Sequence, residues 1–200
     1  HFKCVLIITH IHTNKNNFRL FGATKNFRCN LKCDQCEGQT LAGERCKKRT
    51  CRYLPTCYIH TKKKYGLLVK KSSIPNAGDG LYALKEFKQG EFIADYKGEV
   101  LTKAQRDERY GHTQQDLARY AFQASQNKII DSACHRYIGA YANSKPNHNN
   151  ATFSVHQGKV KIKATKKIKV GDEVFLSYGA SYFTHGQGTT HTTKKNKIKI

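Results

Sequence analysis

Short apolar runs separated by Gly and Asn dominate the chain from residue 66 onward. In the segments 66–70, 80–87 and 91–101, apolar residues either alternate with polar residues or follow one another directly. Runs of this length, bounded by turn-forming residues, are typical of β-strands. The next segment, 102–110, is predicted to be helical instead, with Thr102 as its N-cap.

The remaining segments of this region are also predicted to be strands. The stretches YAFQAS and KIIDS indicate a strand pair, and ATFSVHQGKVKIKA indicates a hairpin that turns at 156–158. The stretch GDEVFLSYG, residues 171–179, is predicted to be a last core strand. Many short strands with one modest helix predict a mainly β fold with irregular connections.

Residues 29–60 are poor in apolar side chains and rich in cysteine. Seven of the eight Cys of the chain precede residue 58, and six of them fall in this segment together with His60. A small polar segment needs a staple to fold, and tetrahedral zinc is the usual one. The Cys-x2-His and Cys-x2-Cys spacings leave two ligand sets open, which are Cys36, Cys46, Cys57 and His60, or Cys33, Cys36, Cys57 and His60.

The stretch from Cys36 to His60 resembles a small zinc-binding motif with the pattern C-x-G/A-x-T-x-x-G-x-x-C followed by C-x-x-H. This resemblance implies the first set, Cys36, Cys46, Cys57 and His60, as the zinc ligands. Because no secretory signal is visible, the cysteines are expected to bind metal rather than to form disulfides. The alternative is that they are reduced thiols in a disordered arm.

The net charge of the chain is +22, from 36 Lys and Arg against 14 Asp and Glu. Residues 1–65 hold 14 of the basic and only 3 of the acidic side chains, so the positive charge is densest there. Such a charge indicates an acidic partner, with nucleic acid or a nucleic-acid-bound protein as the first candidate. Basic side chains around the Cys cluster are expected to contact phosphates; they are Arg45, Lys47, Lys48, Arg49 and Arg52.

Composition divides the chain into four parts. They are an N-terminal segment without a defined pattern at 1–28, a Cys/His module at 29–61, a main domain at 66–183 and a basic, flexible tail at 184–200. The longest early apolar run, CVLII at 4–8, is far shorter than the roughly 20 residues of a transmembrane helix, so no membrane contact is expected. The chain begins with His and contains no Met, so we expect it to be a fragment or a trimmed product.

Four stretches of the main domain, taken in order, resemble the motifs of the SET-domain protein-lysine methyltransferases. The stretches are NAGDGLYA at 76–83, ADYKGEVL at 94–101, GAYANSKPNHNNATF at 139–153 and GDEVFLSYG at 171–179. They are similar, respectively, to the family's G-x-G turn, its Y-x-G-E strand, its N-H-S and P-N segments and its G-E-E-L-x-x-x-Y-G motif. This similarity places Asn143 and Asn150 at the family's asparagines and Tyr178 at its catalytic tyrosine. It implies a SET-domain fold of several small sheets, with a knot-like threading of the C-terminal segment.

The chain also departs from the family pattern. Ala140 stands where the family has Arg, and Ser144 stands where it has His. The longer insertion SKPNHN separates the two asparagines, so an alternative register places residues 146–147 at the P-N segment. The family's post-SET cysteines are absent, and in this respect the chain is similar to minimal viral members, in which C-terminal aromatic residues close the site. Tyr182 and Phe183 are the candidates for that role.

The resemblance implies S-adenosylmethionine as the methyl donor. Gly78 and Gly80 permit a close approach of the backbone to the donor, and the neutral amide of Asn143 does not repel the donor's carboxylate. Asn150 is expected to brace the loop, and the ring of Tyr182 or Phe183 is expected to face the adenine. The residues expected at the donor are Gly78, Asp79, Gly80, Tyr82, Asn143, Ser144, Tyr178 and Tyr182.

The resemblance also implies how a lysine is methylated. Tyr178 is expected to align the lysine amine and to polarise the methyl group through its hydroxyl. No dedicated base is expected, because burial beside a sulfonium lowers the pKa of the amine. Tyr120 and Tyr96 are expected to line the lysine channel with Phe153 and Leu176, the two candidates for the position that controls the number of methyl groups. Neither candidate has a hydroxyl, so di- or trimethylation is expected.

These features together predict an S-adenosylmethionine-dependent protein-lysine methyltransferase that acts on histone lysine or on another protein. Its basic zinc module is expected to contact DNA or nucleosomes, which implies a nuclear or chromatin location, or a virus factory if the source is viral. Minimal members of the family can form homodimers. The alternative is a catalytically weak SET-fold protein that serves as a zinc-dependent binding module for nucleic acid or protein.

Overall fold

The computed structural model describes residues 29–50, 52–111 and 118–179. The segment 1–28, the tail 184–200 and the two aromatic residues expected beside the adenine, Tyr182 and Phe183, lie outside the described residues.

The described residues form eight short strands in three antiparallel sheets, with strand orders β1-β2, β3-β8-β7 and β4-β6-β5. The strands are β1 (Leu67–Lys71), β2 (Asp79–Ala83), β3 (Phe92–Asp95), β4 (Glu99–Leu101), β5 (Ala121–Ser125), β6 (Lys128–Asp131), β7 (Ala151–His156) and β8 (Lys159–Ala164). The mainly β fold of several small sheets that the sequence predicts is thereby confirmed.

The hairpin β7–β8 shows how local sequence specifies this architecture. Along β8, the side chains of Val160, Ile162 and Ala164 are buried, and they alternate with lysines that are more exposed. His156 pairs with Lys159 across a two-residue turn, 157–158, in which both residues have positive φ angles of 49° and 70°. A turn of this kind matches the right-handed twist of the strands, so the predicted hairpin is confirmed.

Two α-helices are described, α1 (Tyr58–Tyr65) and α2 (Lys103–Tyr110), together with a 3-10 helix at Ile138–Tyr141. The predicted helix α2 is confirmed, and Thr102 caps it in a reciprocal capping box with Gln105. Helix α1 was not predicted. Three lysines at 62–64 lie in its last turn, where a positive charge interacts favourably with the helix dipole, and Gly66 ends it with a φ of 63°. Neither α-helix is long and apolar enough to cross a membrane.

The main hydrophobic core lies where the first two sheets meet. Its most deeply buried side chains are completely or almost completely inaccessible to solvent; they are Leu67, Leu81, Phe87, Ile162, Ile168, Val174 and Leu176. Leu54, from the Cys/His module, is 7% exposed and belongs to the same core. The module is therefore packed onto the main domain rather than joined to it only through the chain.

The prediction of a continuous last core strand at 171–179 is wrong. This segment makes three isolated bridges instead, between Glu173 and Tyr82, Phe175 and Asn143, and Leu176 and Ala151. The first bridge is antiparallel and the other two are parallel. Because the segment pairs with three different parts of the chain within four residues, no single ladder can extend along it.

The expectation that cysteines serve as metal ligands rather than in disulfides is wrong for one pair. Cys29 and Cys134 form a disulfide bond across 105 residues of sequence. The fold brings their Cα atoms to 5.0 Å, which lies in the range that a disulfide requires. This bond ties the start of the Cys/His module to the segment that follows β6.

Candidate active site and metal cluster

The Cys/His module folds around four side chains. Two isolated bridges, between Gln35 and Arg49 and between Gln39 and Arg45, turn residues 35–49 back on themselves and bring Cys36 and Cys46 together. Helix α1 begins directly after Cys57 and carries His60 in its first turn. The ligand atoms of Cys36, Cys46, Cys57 and His60 all lie within 4.8 Å of one another. This is the set that the motif resemblance implies, and Cys33 of the alternative set is not among them.

The geometry of the four ligand atoms fits a zinc ion. Nδ1 of His60 lies 3.3 Å from Sγ of Cys36 and 3.4 Å from Sγ of Cys57, and tetrahedral zinc would place such atoms about 3.6 Å apart. The opposite ring nitrogen, Nε2, donates to the carbonyl oxygen of Gln39 at 2.8 Å, which leaves Nδ1 able to bind metal. A Cβ atom at Gly38 would lie 2.5 Å from Cγ of His60, so only glycine lets the ring pack here.

Backbone amides prepare one of the cysteines for metal binding. Burial raises the pKa of the Cys36 thiol, but hydrogen bonds from the backbone N–H groups of Cys57 and Gly38, together with those from the side chains of His60 and Cys57, outweigh it and lower the pKa to about 7. These two donors lie 3.1 and 3.3 Å from Sγ. The thiolate is the form that ligates metal, so the local backbone favours the binding state.

The expected donor turn lies between β1 and β2. Gly78 has a φ of 74°, which side chains with a Cβ rarely adopt, and a Cβ there would meet no atom within 4 Å, so the turn faces open space. A Cβ at Gly80 would instead collide with Oε1 of Glu173. Nδ2 of Asn143 donates to the carbonyl oxygen of Asp79 at 2.9 Å. The structure therefore brings together the glycine turn and the asparagine that the sequence indicates.

Glu173 lies beneath this turn and was missed by the sequence reasoning. Its carboxylate is 6% exposed. It accepts hydrogen bonds from the hydroxyls of Ser72 and Ser73 at 2.6 Å each, from the backbone N–H of Ser73 at 2.8 Å and from the hydroxyl of Tyr82 at 2.9 Å. Burial raises the pKa of Glu173, but these hydrogen bonds outweigh it and the pKa is lowered overall. An acidic residue inside the apolar run DEVFL was the available signal.

Tyr82, expected at the donor, is therefore placed below the turn. It is 8% exposed, and its hydroxyl also donates to the carbonyl oxygen of Lys71 at 3.1 Å. The phenol links the first sheet to Glu173. Any contact of Tyr82 with the donor stays a prediction.

The asparagine-rich loop divides into a brace and a turn. Asn150 is 7% exposed, and its side chain donates to the carbonyl oxygen of Glu173 and accepts from the backbone N–H of Phe175, both at 2.8 Å. Asn149 accepts from the backbone N–H of Lys145 at 2.9 Å and from the hydroxyl of Ser144 at 3.4 Å. Ser144, expected at the donor, thus takes part in the turn.

Tyr178 is held beside the same asparagine segment. Its hydroxyl donates to the carbonyl oxygen of Ala142 at 2.7 Å, and the backbone N–H of Leu176 donates to the carbonyl oxygen of Asn143 at 2.7 Å. Residues 142 and 143 are consecutive, so the hydroxyl expected to be catalytic and the amide expected at the donor are anchored to neighbouring residues.

An aromatic cluster lies on the main hydrophobic core, against which Tyr178 also packs. The ring of Phe153 stacks on Phe122 with centroids 4.0 Å apart and meets Tyr96 edge-on at 5.0 Å. The hydroxyl of Tyr96 donates to the carbonyl oxygen of Tyr120 at 2.7 Å. Phe122, Phe153 and Tyr178 are partly buried against the main core. Phe122 was missed; it lies on β5, which begins directly after Tyr120.

The two positions proposed to control the number of methyl groups differ in their surroundings. Phe153 belongs to the aromatic cluster. Leu176 is fully buried in the main hydrophobic core. Of the two positions, only Phe153 therefore lies among the aromatic rings. The hydroxyl groups of that cluster belong to its tyrosines and not to Phe153 or Phe122.

A family model and known proteins both match the chain. The family model described as the SET domain matches residues 78–179. Histone-lysine N-methyltransferase EZH2 of Chaetomium thermophilum is 27% identical over an alignment of 126 residues that covers 58% of this chain and 8% of that protein. Histone-lysine N-methyltransferase mes-4 of Caenorhabditis elegans is 25% identical over an alignment of 176 residues that covers 72% of this chain and 19% of that protein. The chain thus spans less than a fifth of the length of either relative.

Two solved structures are similar to part of the chain. One is ctPRC2 in an autoinhibited conformation bound to S-adenosylmethionine, with 26% identity, a TM-score of 0.47 and coverage of 57% of this chain and 15% of that chain. The other is the crystal structure of the Chaetomium thermophilum polycomb repressive complex 2, with 25% identity, a TM-score of 0.48 and coverage of 60% and 16%.

Proposed function

The chain belongs to the SET-domain family, and on that premise we propose that it transfers methyl groups from S-adenosylmethionine to lysine side chains of proteins, with histone lysine as the substrate. Two relatives that match it are named as histone-lysine N-methyltransferases. The chain is much shorter than either, so the proposal rests on the site itself.

One observation supports the proposal above the others. The consecutive residues 142 and 143 connect the glycine turn and the tyrosine hydroxyl, since Asn143 binds the carbonyl oxygen of Asp79 and Ala142 accepts from Tyr178. Residues from three separate motifs thereby meet at one place. A methyltransferase needs such a meeting, because the donor and the amine must be held in line.

The chemistry of the donor site fits S-adenosylmethionine. Among the described residues, Oδ1 of Asn143 accepts no hydrogen bond, and the turn at Gly78 faces open space. The carbonyl oxygens of the turn and this amide provide neutral acceptors for an ammonium group, and backbone N–H groups can donate to a carboxylate. When bound, S-adenosylmethionine supplies an electrophilic methyl group on a cationic sulfur.

Tyr178 orients the lysine amine in this proposal. Its hydroxyl donates to Ala142, which fixes the ring, and a phenol oxygen can accept a hydrogen bond while it donates another. Phe122, Phe153 and Tyr96 form the apolar wall along which the lysine side chain enters. Desolvation at this wall disfavours the ammonium form, so the amine loses its proton to water before transfer. Because the rings at the wall's centre bear no hydroxyl, we propose di- or trimethylation.

The Cys/His module contributes stability and charge. Zinc on Cys36, Cys46, Cys57 and His60 would staple a segment with little apolar core of its own. Lys47 and Lys48 are exposed on this module, and the lysines at 62–64 are exposed directly after it. Side chains of this kind bind the phosphates of DNA, so we propose that the module contacts nucleosomal DNA and that the protein acts in the nucleus, on chromatin.

Methyl incorporation from labelled S-adenosylmethionine tests the proposal, with nucleosomes, free histones and bovine serum albumin as acceptors. We expect label on histone, more on nucleosomes than on free histones, and a loss of about a hundredfold or more in Tyr178→Phe. Tyr58→Phe is the matched control, because Tyr58 is 57% exposed on α1.

Each other outcome has a defined meaning. Donor binding without label on any acceptor would contradict the choice of histone as the substrate. Absence of both label and donor binding would contradict the enzyme and favour the zinc-dependent binding module. Unchanged labelling in Tyr178→Phe would contradict the role of the hydroxyl.

A further inference from the structure

Arg52 reaches from the Cys/His module to the donor turn. Its Nε donates to Oδ2 of Asp79 at 2.7 Å and its Nη2 donates to Oδ1 at 3.3 Å. The guanidinium therefore engages both carboxylate oxygens, which is the most specific geometry for this pair of groups. Asp79 is the residue between Gly78 and Gly80, so the ion pair lies on the turn that faces the donor. Arg52 was expected to contact phosphate, but in the structure its side chain pairs with Asp79.

The backbone of Arg52 is fixed independently of this ion pair. Its carbonyl oxygen accepts a hydrogen bond from the hydroxyl of Tyr141, in the 3-10 helix that leads to Asn143. Two residues later, Leu54 is buried in the main core. Arg52 also has a φ of 68°, a conformation that non-glycine residues adopt only when the surrounding structure holds them in it. The backbone that carries the guanidinium group is therefore held in a defined position.

Two groups of Asp79 have opposite effects on donor binding: its carbonyl oxygen supports the site, and its carboxylate carries a negative charge that would weaken donor binding. The carbonyl oxygen of Asp79 accepts a hydrogen bond from Nδ2 of Asn143, which ties the turn to the site. Its carboxylate, 33% exposed, would by itself repel the carboxylate of a bound methionine group. A cation at Asp79 removes this repulsion, and Arg52 is the residue that supplies it.

We infer that Arg52 is a positioning residue for the methyl donor, acting from the Cys/His module through Asp79. It does so by cancelling the negative charge on the donor turn. The module therefore sets the affinity for the donor in addition to any contact with DNA. This inference rests on the proposed use of S-adenosylmethionine.

The test is the dissociation constant of S-adenosylmethionine, measured by titration calorimetry on the 200-residue chain with zinc bound. We expect Arg52→Gln to weaken donor binding by about two- to fivefold, the range of a partly exposed ion pair. Asp79→Asn added to Arg52→Gln should restore the affinity to within about twofold of the unchanged protein, because the repelling charge is gone. The loss in Arg52→Gln should shrink at higher ionic strength.

Lys32→Gln is the matched control, since Lys32 is an exposed basic residue of the same module; it should leave the donor affinity unchanged. Zinc content is measured in every variant and should stay constant. Equal affinity of Arg52→Gln and the unchanged protein would overturn the inference alone. A loss that Asp79→Asn does not restore would also overturn it, because Arg52 would then act by packing. Absence of donor binding in the unchanged protein would instead overturn the proposed function, and this inference with it.

Discussion

The Cys/His module and the β domain that follows it are held together by different kinds of interaction. The buried cluster of the module consists of three residues, Cys36, Cys46 and Cys57. The buried cluster of the β domain contains nineteen of its own residues, nearly all of them apolar, together with Leu54 from the module. The module has too little apolar surface to fold by burial alone, so its order depends on the chemistry of its ligand atoms. The β domain needs no such ligand.

The two regions are nevertheless connected by several contacts, three of which reach different parts of the β domain. Leu54 packs into the core of the β domain, Arg52 pairs with Asp79, and Cys29 is joined to Cys134. These contacts reach the core, the donor turn and the segment after β6. A region with little apolar core of its own can therefore hold parts of a site that is built on a hydrophobic scaffold.

The largest effect is expected from substitution of a zinc ligand, which should unfold the Cys/His module and leave the β domain folded. We expect Cys57→Ser to abolish zinc binding. The free energy of zinc binding at a structural site is about 10 kcal/mol, and the folded module would lose this stabilisation. Limited proteolysis should then cut within 29–57 while residues 67–176 stay protected. Zinc content, measured by atomic absorption, checks the first part.

Cys33→Ser is the matched control for this prediction, because Cys33 belongs to the alternative ligand set and not to the observed cluster. It should keep its zinc. Loss of zinc in Cys33→Ser with retention in Cys46→Ser would mean that the alternative set is the correct one.

A substitution in the core of the β domain should have the opposite result: it should destabilise the β domain and leave zinc binding by the module unchanged. Leu81 is fully buried at the centre of β2, so Leu81→Ala should destabilise the β domain by about 3 kcal/mol, from the lost burial and the cavity left behind. Denaturant unfolding measures the change. Zinc content should stay the same, and Val170→Ala, at a position that is 64% exposed, should change little. A parallel loss of zinc would show that the module cannot stay folded without an intact core.

The smallest effect is expected at Glu173, where the pKa is lowered by hydrogen bonds that outweigh the effect of burial. A carboxyl group with a lowered pKa stabilises the folded state above its ordinary pKa of 4.5, and this stability is lost as the pH falls through the lower, folded value. Glu173→Gln should therefore cost about 1–3 kcal/mol at neutral pH, and the difference from the unchanged protein should decrease as the pH falls below 4.5.

Stability of both proteins is measured by urea unfolding from pH 7 to pH 3. Glu86→Gln provides the control, because that carboxylate is exposed and pairs only with an exposed lysine, Lys167, within the described residues. A constant difference between Glu173→Gln and the unchanged protein across this range would contradict an ionised Glu173.

The local elements could be predicted because their signals lie within a few residues. The hairpin turn at 157–158, the capping box at Thr102 and the alternation along β8 each follow from neighbouring side chains. The same holds for the Cys-x2-His pair at the start of α1. Helix α1 itself was missed, because a run of three lysines gives no apolar periodicity to recognise.

The order of the four motifs also allowed the glycine turn, Asn143 and Tyr178 to be predicted as parts of the site. It could not show what supports them. The hydroxyl of Ser72 reaches Glu173 across 101 residues, and Arg52 reaches Asp79 across 27. Neither pair has a spacing or a period that marks it in the sequence.

The sequence by itself determined the class of fold, the residue types of the metal cluster and the motifs of the site. Only the tertiary structure decided that the last segment forms three bridges rather than a strand, that Cys29 joins Cys134, and that Arg52 meets the donor turn. The physical reason is that turn chemistry and hydrophobic period act between near neighbours, whereas these contacts exist only after the chain has brought distant segments together.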